Sequence, residues 1–251
     1  MPVLNATGLS LVDIFLLSVI IIGLPLEALL TLKKSRAELA SGKPGVRVKH
    51  YTQTIFLLWG VALPILVLWA ASGRDWAELG FTLHSGWGPL AGWGLAGLIA
   101  LFFVIQFTAI LKSKSAKEQL RNGLAKSPIM TNFLPHTDDE RKLFHLLSVT
   151  AGITEEIIFR GFLIWAFSLF VPVWVAALAA LLLFTILHAY QGAAQLPAVF
   201  IMGGLVTLIF VLSGSIWPAI AIHVFVDMIN NSMTWAARRD TFSESTQTLA
   251  A

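Results

Sequence analysis

Two adjacent glutamates, Glu155 and Glu156, precede Arg160 in the segment GITEEIIFRGF at 152–162, inside a run that is apolar for many residues on either side. Ionisable groups in such a run are costly; they face a bundle interior or a water-filled cavity, where they mark chemistry or transport. On a helix Glu156 and Arg160 stand at i and i+4, stacked on one face and able to pair. Glu155 projects about 100° away from Glu156 and has no cation at i+3 or i+4. Arg160 therefore neutralises Glu156 and leaves Glu155 free. A carboxyl without a neighbouring cation in a low-dielectric site can exchange a proton near neutral pH, as a general acid or base must. The plainer alternative is that both glutamates pair with Arg160 and only hold helices together.

Two further apolar runs carry ionisable residues. His188 ends LLLFTILHAY, one turn after Phe184 on the same face, and alone it reads as an interfacial histidine packed on an aromatic ring. In AIHVFVDMINN, His223 and Asp227 are again at i and i+4, so the carboxylate can orient the imidazole. Asn230 and Asn231 extend this polar stripe, and a structural hydrogen-bonded pair is the competing reading. Together the three runs offer an acid, two imidazoles and an orienting carboxylate, an inventory suited to hydrolysis.

The elements that must position these residues are membrane helices. Of 251 residues, 57% are hydrophobic and 12% charged, against about 25% charged in soluble domains. Aromatics make up 11%, with nine Trp, as expected where rings sit at membrane interfaces. A bilayer core needs roughly 20 apolar residues in a helix, and seven stretches meet or approach that length: 9–30, 51–71, 88–111, 143–170, 173–190, 196–212 and 216–236. The first lacks a basic N-terminal segment and is too long for a signal-peptide core, so it is expected to be retained. A re-entrant piece at 191–197 is an eighth candidate.

Basic residues concentrate at 31–50, at 112–142 and in Arg238 and Arg239, all on one side of a seven-span chain. Arg74 alone lies in an opposite-side loop and Arg160 alone in a span. The positive-inside rule then places the N-terminus outside and the C-terminus in the cytoplasm. The net charge of +3 sits in these short loops and is no sign of nucleic-acid binding. The absence of cysteine excludes disulfides and thiolate metal sites. The segment SAKEQLRNGLAK, with Ala116, Leu120 and Leu124 every four residues, reads either as a short helix on the anionic leaflet or as a solvated loop. The expected architecture is all-α: one polytopic transmembrane helix bundle over 1–251, a motif-bearing core at about 143–236 and a disordered tail at about 239–251. No internal repeat supports an inverted-repeat transporter.

EEIIFR at 155–160, FTILH at 184–188 and HVFVD at 223–227 match EExxxR, FxxxH and HxxxN/D, in order and on separate apolar helices. They resemble the three motifs of the CPBP intramembrane proteases, which include the type II CAAX prenyl endopeptidases and the bacterial Abi proteins. Each motif is short, and the likeness covers about 151–231. It implies that Glu155 acts with His188 to activate water, that His223 and Asp227 support the oxyanion, and that Glu156, Arg160 and Phe184 support the motif geometry. An ionised Asp227, unlike an asparagine, cannot donate to an oxyanion, so it is expected to orient His223 instead. Glu155, His188, His223 and Asp227 also offer ligands for zinc, but no HExxH pair is present. The preferred mechanism is therefore free of metal and of other cofactors. The resemblance implies a multi-pass protein of the cell membrane whose partners are membrane lipid and a peptide or protein substrate, possibly prenylated. Hydrolysis there requires a polar cavity open to water. A proton or ion transporter and a non-catalytic membrane scaffold are the competing functions.

Overall fold

The computed structural model describes residues 8–248 except His84, with side chains described through Arg239. The described residues are helical, with no strand among them. Helix α1 spans Leu11–Ala40. It starts at a capping box between Ser10 and Asp13 and passes through a π-helical turn at Val19–Gly23. That turn precedes Pro25, whose missing N–H suits a place where the regular ladder is already interrupted. Helix α2, Val46–Ser72, is bounded by Gly45 and Gly73, both in the left-handed conformation that glycine adopts without strain. Helix α3 covers Trp87–Lys112.

Ser113 then caps α4, Lys114–Ala125, and a short α5, Pro128–Phe133, follows. SAKEQLRNGLAK is thus helical. Its Ala116 and Leu120 pack against Ile110, Met233 and Ala237 rather than facing only lipid or solvent.

Helix α6 runs over 138–168 as Asp138–Glu155, a π-helical Glu156–Leu163 and Ile164–Ser168. Helix α7 is Val173–Leu187. Two 3₁₀ turns, His188–Gln191 and Ala193–Gln195, form the stretch considered above for a re-entrant piece. Helix α8 is Leu196–Ser213, and α9 is Ile216–Thr248. The tail expected to be disordered from 239 thus continues as helix to Thr248, since no Gly or Pro follows Pro218 to stop it; residues 249–251 lie outside the described residues.

Five described helices are long and apolar enough to cross a membrane: Leu11–Ala40, Val46–Ser72, Trp87–Lys112, Val173–Gln191 and Ala193–Ser213. Helices α6 and α9 fall short in apolarity because they carry Glu155, Glu156 and Arg160 in one and His223, Asp227 and two asparagines in the other. They are also central to the packing: α9 lies against α3, α6 and α8, and α6 against α2 and α9. Helix α1 touches the rest lightly. Ile65, Trp69, Ile158, Phe162, Leu163 and Ile209 are fully buried between the helices. Leu29, Leu30, Phe56, Val67, Leu98 and Ile201 point outward, an apolar exterior that water would not tolerate over such an area. The chain is a multi-pass membrane protein.

Candidate active site

The site begins where α6 crosses α9. A Cβ on Gly152 would lie 2.4 Å from Val224 Cγ2 and 2.8 Å from Val224 N, so glycine there permits a backbone approach that any side chain would block. The crossing sets the glutamates of α6 against His223, the neighbour of Val224. From Glu156 the helix widens into its π-helical segment, all eight residues of which are buried. Such segments recur at functional sites, where the extra residue per turn re-aims side chains.

Within that segment Arg160 is 2% exposed and Glu156 is fully buried. The Arg160 guanidinium donates to Glu156 Oε1 at 2.9 Å, to the Gly203 carbonyl at 3.1 Å and to Thr207 Oγ1 at 3.3 Å. It also lies over the Phe184 ring, 4.5 Å from the ring centroid. The i, i+4 pair anticipated between Glu156 and Arg160 is present and is tied to α8. A buried charge pair is tolerable only when such additional hydrogen bonds satisfy it.

Glu156 has a second partner that spacing along one helix did not reveal. His223 Nδ1 lies 2.6 Å from Glu156 Oε1, whereas His223 Nε2 is 4.0 Å from Asp227 Oδ2. The expectation that Asp227 orients His223 is thus corrected: a fully buried carboxylate on α6 takes the ring nitrogen, and the Asp227 side chain remains 40% exposed. A strong charge-assisted bond outcompetes a partner that can be hydrated instead.

His188 caps the end of α7. Its Nδ1 lies 2.8 Å from the Phe184 carbonyl, and because a carbonyl only accepts, Nδ1 carries the hydrogen and Nε2 is left facing the site. The Phe184 ring packs on the imidazole at 4.3 Å between centroids. Phe184 thus supports both Arg160 and His188.

Glu155 stands between the two imidazoles. Its Oε2 is 4.0 Å from His188 Nε2 and 3.8 Å from His223 Nε2, too long for direct hydrogen bonds but a span that one water bridges. Glu155 Oε2 and Glu156 Oε2 are buried without a hydrogen-bond partner among the described residues. Among those residues, no group of three or more His, Asp or Glu side chains is arranged to hold a metal ion, so the donor set proposed for zinc does not fit one as it stands.

Glu155, His188, His223 and Asp227 line one cavity of about 1050 Å³. One wall is a face of α1, from Leu24, Ala28 and Thr31 to Ser35 and Leu39, at helical spacing. Leu124, Met130 and Phe133 of α4 and α5 line it on the side of the basic loops. The cavity is therefore mainly apolar, with a compact ionisable cluster in its wall.

This cluster sits in a segment with known relatives: residues 141–229 match the family model described as type II CAAX prenyl endopeptidase Rce1-like. The motif-bearing segment belongs to the CPBP/CAAX protease family. The match covers less than half of the chain, and α1 to α5 lie before it. Comparison with curated proteins and with solved structures returned no match. The family makes the chain an intramembrane protease of the CAAX type in general terms, acting on a peptide or protein in a membrane.

Sequence reasoning missed Thr207 and the Gly203 carbonyl as partners of Arg160, and the link from Glu156 to His223. Thr207 is polar within an apolar span, which is a usable hint. Nothing in the sequence marks a contact between residues 156 and 223.

Proposed function

We propose that this protein hydrolyses peptide bonds of membrane-associated peptides, prenylated ones included, in the cell membrane, by a metal-free mechanism. The observation that carries the reading is the bare Glu155 carboxylate, held between the Nε2 atoms of two histidines on a mainly apolar cavity.

A water between Glu155 Oε2 and His188 Nε2 donates one hydrogen to each, since both atoms are acceptors. Glu155 takes a proton as the water oxygen bonds to the scissile carbonyl carbon, and the carbonyl becomes an oxyanion. His223, anchored at Nδ1 by Glu156, turns Nε2 toward that oxygen and, protonated there, donates to it. Collapse of the intermediate breaks the C–N bond, and the proton held by Glu155 passes to the leaving amine. Asp227 borders the oxyanion and His223 Nε2. Arg160 and Phe184 hold the frame. The apolar walls suit a lipid-modified or membrane-embedded peptide, and their exclusion of bulk water strengthens each polar contact inside.

The test is cleavage of fluorogenic peptides, farnesylated and unmodified, by detergent-purified protein with and without a zinc chelator. Chelator-resistant cleavage that disappears in Glu155→Gln and His188→Ala is the expected result. Chelator-sensitive cleavage assigns the same residues to a metal site. Ion flux in vesicles with no cleavage moves them to transport.

A further inference from the structure

One cavity residue is used by none of the three motifs. Asn231 lies on α9 two turns beyond His223 and one beyond Asp227, is 2% exposed and lines the cavity. Neither its carboxamide oxygen nor its nitrogen has a hydrogen-bond partner among the described residues. Nearly all buried polar groups in folded proteins are paired, and a carboxamide lacking both a donor and an acceptor is an expensive group to bury. By contrast, neighbouring Asn230 is exposed and can be hydrated.

We propose that Asn231 is a substrate-positioning residue that pairs with a backbone amide of the bound peptide. An extended peptide residue presents its C=O and N–H in the same direction, and a carboxamide supplies the complementary donor and acceptor. Asn231 therefore reads the main chain, whatever the side chains are. Eight residues along α9 place it about 12 Å from His223 at about 1.5 Å per residue. That distance is three to four residues of extended chain at about 3.3 Å each. The direction is toward the basic loops, because Arg238, two turns further on, donates to the carbonyl of Pro135 in the 112–142 segment. The peptide thus lies along α9 from the Glu155–His223 cluster to Asn231, and one backbone amide three to four residues from the scissile bond is held there.

This inference rests on the peptidase reading, and its test separates the two by measuring binding instead of turnover. The probe is a fluorescein-labelled farnesylated peptide titrated into the Glu155→Gln protein in detergent, with Asn231 intact or changed to Leu. The expected result is a Kd raised about tenfold by Asn231→Leu, the worth of one lost hydrogen bond, with a melting temperature unchanged or higher because a buried unpaired amide has been removed. A series of peptides N-methylated at single positions then identifies the partner. Methylation at one position weakens binding about tenfold when Asn231 is intact, whereas the Asn231→Leu variant binds every peptide of the series alike. An unchanged Kd in Asn231→Leu overturns the assignment. So does a lowered melting temperature with no position-dependent effect of N-methylation, which marks a structural amide, and so does failure of the peptide to bind at all. Wild-type cleavage that survives Glu155→Gln sinks the peptidase mechanism while leaving the binding result to be judged on its own.

Discussion

Two buried charge clusters in this protein look alike in composition and differ in completeness. In the first, the Asp13 carboxylate receives Arg74 NH1 at 2.8 Å and NH2 at 2.5 Å, together with the N–H and hydroxyl of Ser10 at 2.7 and 2.8 Å. Arg74 is held between the Trp69 and Trp165 rings, 4.9 and 4.8 Å from their centroids. Every side of this pair is occupied, and neither residue lines the cavity. In the second cluster Glu156 and Arg160 are equally buried, but Glu155 Oε2, Glu156 Oε2 and both polar atoms of Asn231 lack partners among the described residues. A complete cluster secures α1 to the loop after α2 and to α6. An incomplete one beside a cavity has bonding capacity left over for a ligand.

The largest expected break in this contrast is Glu155→Gln. It should lower turnover by about 10²–10⁴-fold, the usual weight of a general acid or base, with the melting temperature in detergent unchanged because Glu155 Oε2 has no protein partner to lose. Wild-type turnover in that variant would erase the distinction.

Asp13→Ala should do the reverse. Removing one member of a buried pair costs about 3–5 kcal/mol, read as a lower melting temperature, while the fraction that remains folded keeps its turnover number. A loss of turnover without a loss of stability would make the outer cluster part of the site.

A third cluster sharpens the point at the basic-loop end. Burial works against ionisation of Glu140, but the His136 N–H, the Arg47 guanidinium 2.9 Å away and the Thr137 N–H outweigh it and hold the carboxyl below its ordinary range. The stabilisation is therefore full above the unfolded carboxyl's pKa of about 4.3 and is lost as pH falls through the lowered folded value. Glu140→Gln should cost about 1–3 kcal/mol at neutral pH, with its melting curve converging on that of the parent in acid. A gap that persists in acid would point to packing instead of charge.

The smallest effect is expected at Asp227→Asn. His223 is already anchored by Glu156 at 2.6 Å, so the change should leave turnover within about tenfold, and an added amide donor facing an oxyanion favours the upper end of that range. A larger loss would restore Asp227 as the residue that orients the histidine.

Much of this was legible in the sequence because it is local. The Glu156–Arg160 pair follows from one helical turn, and so does the placing of Phe184 beneath His188. The isolation of Glu155 follows from the absence of a cation within reach on its own helix. The membrane character follows from composition, because a chain with so few charges can place that much apolar surface only in lipid. The i, i+4 rule failed at His223 and Asp227: it permits a contact without ranking it against partners on other helices. Asp13 and Arg74 were overlooked as a pair for the same reason, being 61 residues apart.

The sequence by itself determined the helices, their apolar faces and the order of the three motifs, since these depend on neighbours a few residues away. Tertiary structure alone decided that Glu156 holds His223, that Arg160 reaches α8, and that Asn231 is buried on the cavity wall without a protein partner. Those facts depend on how closely α6 meets α9 at Gly152, and on which polar atoms remain unpaired after every helix has packed.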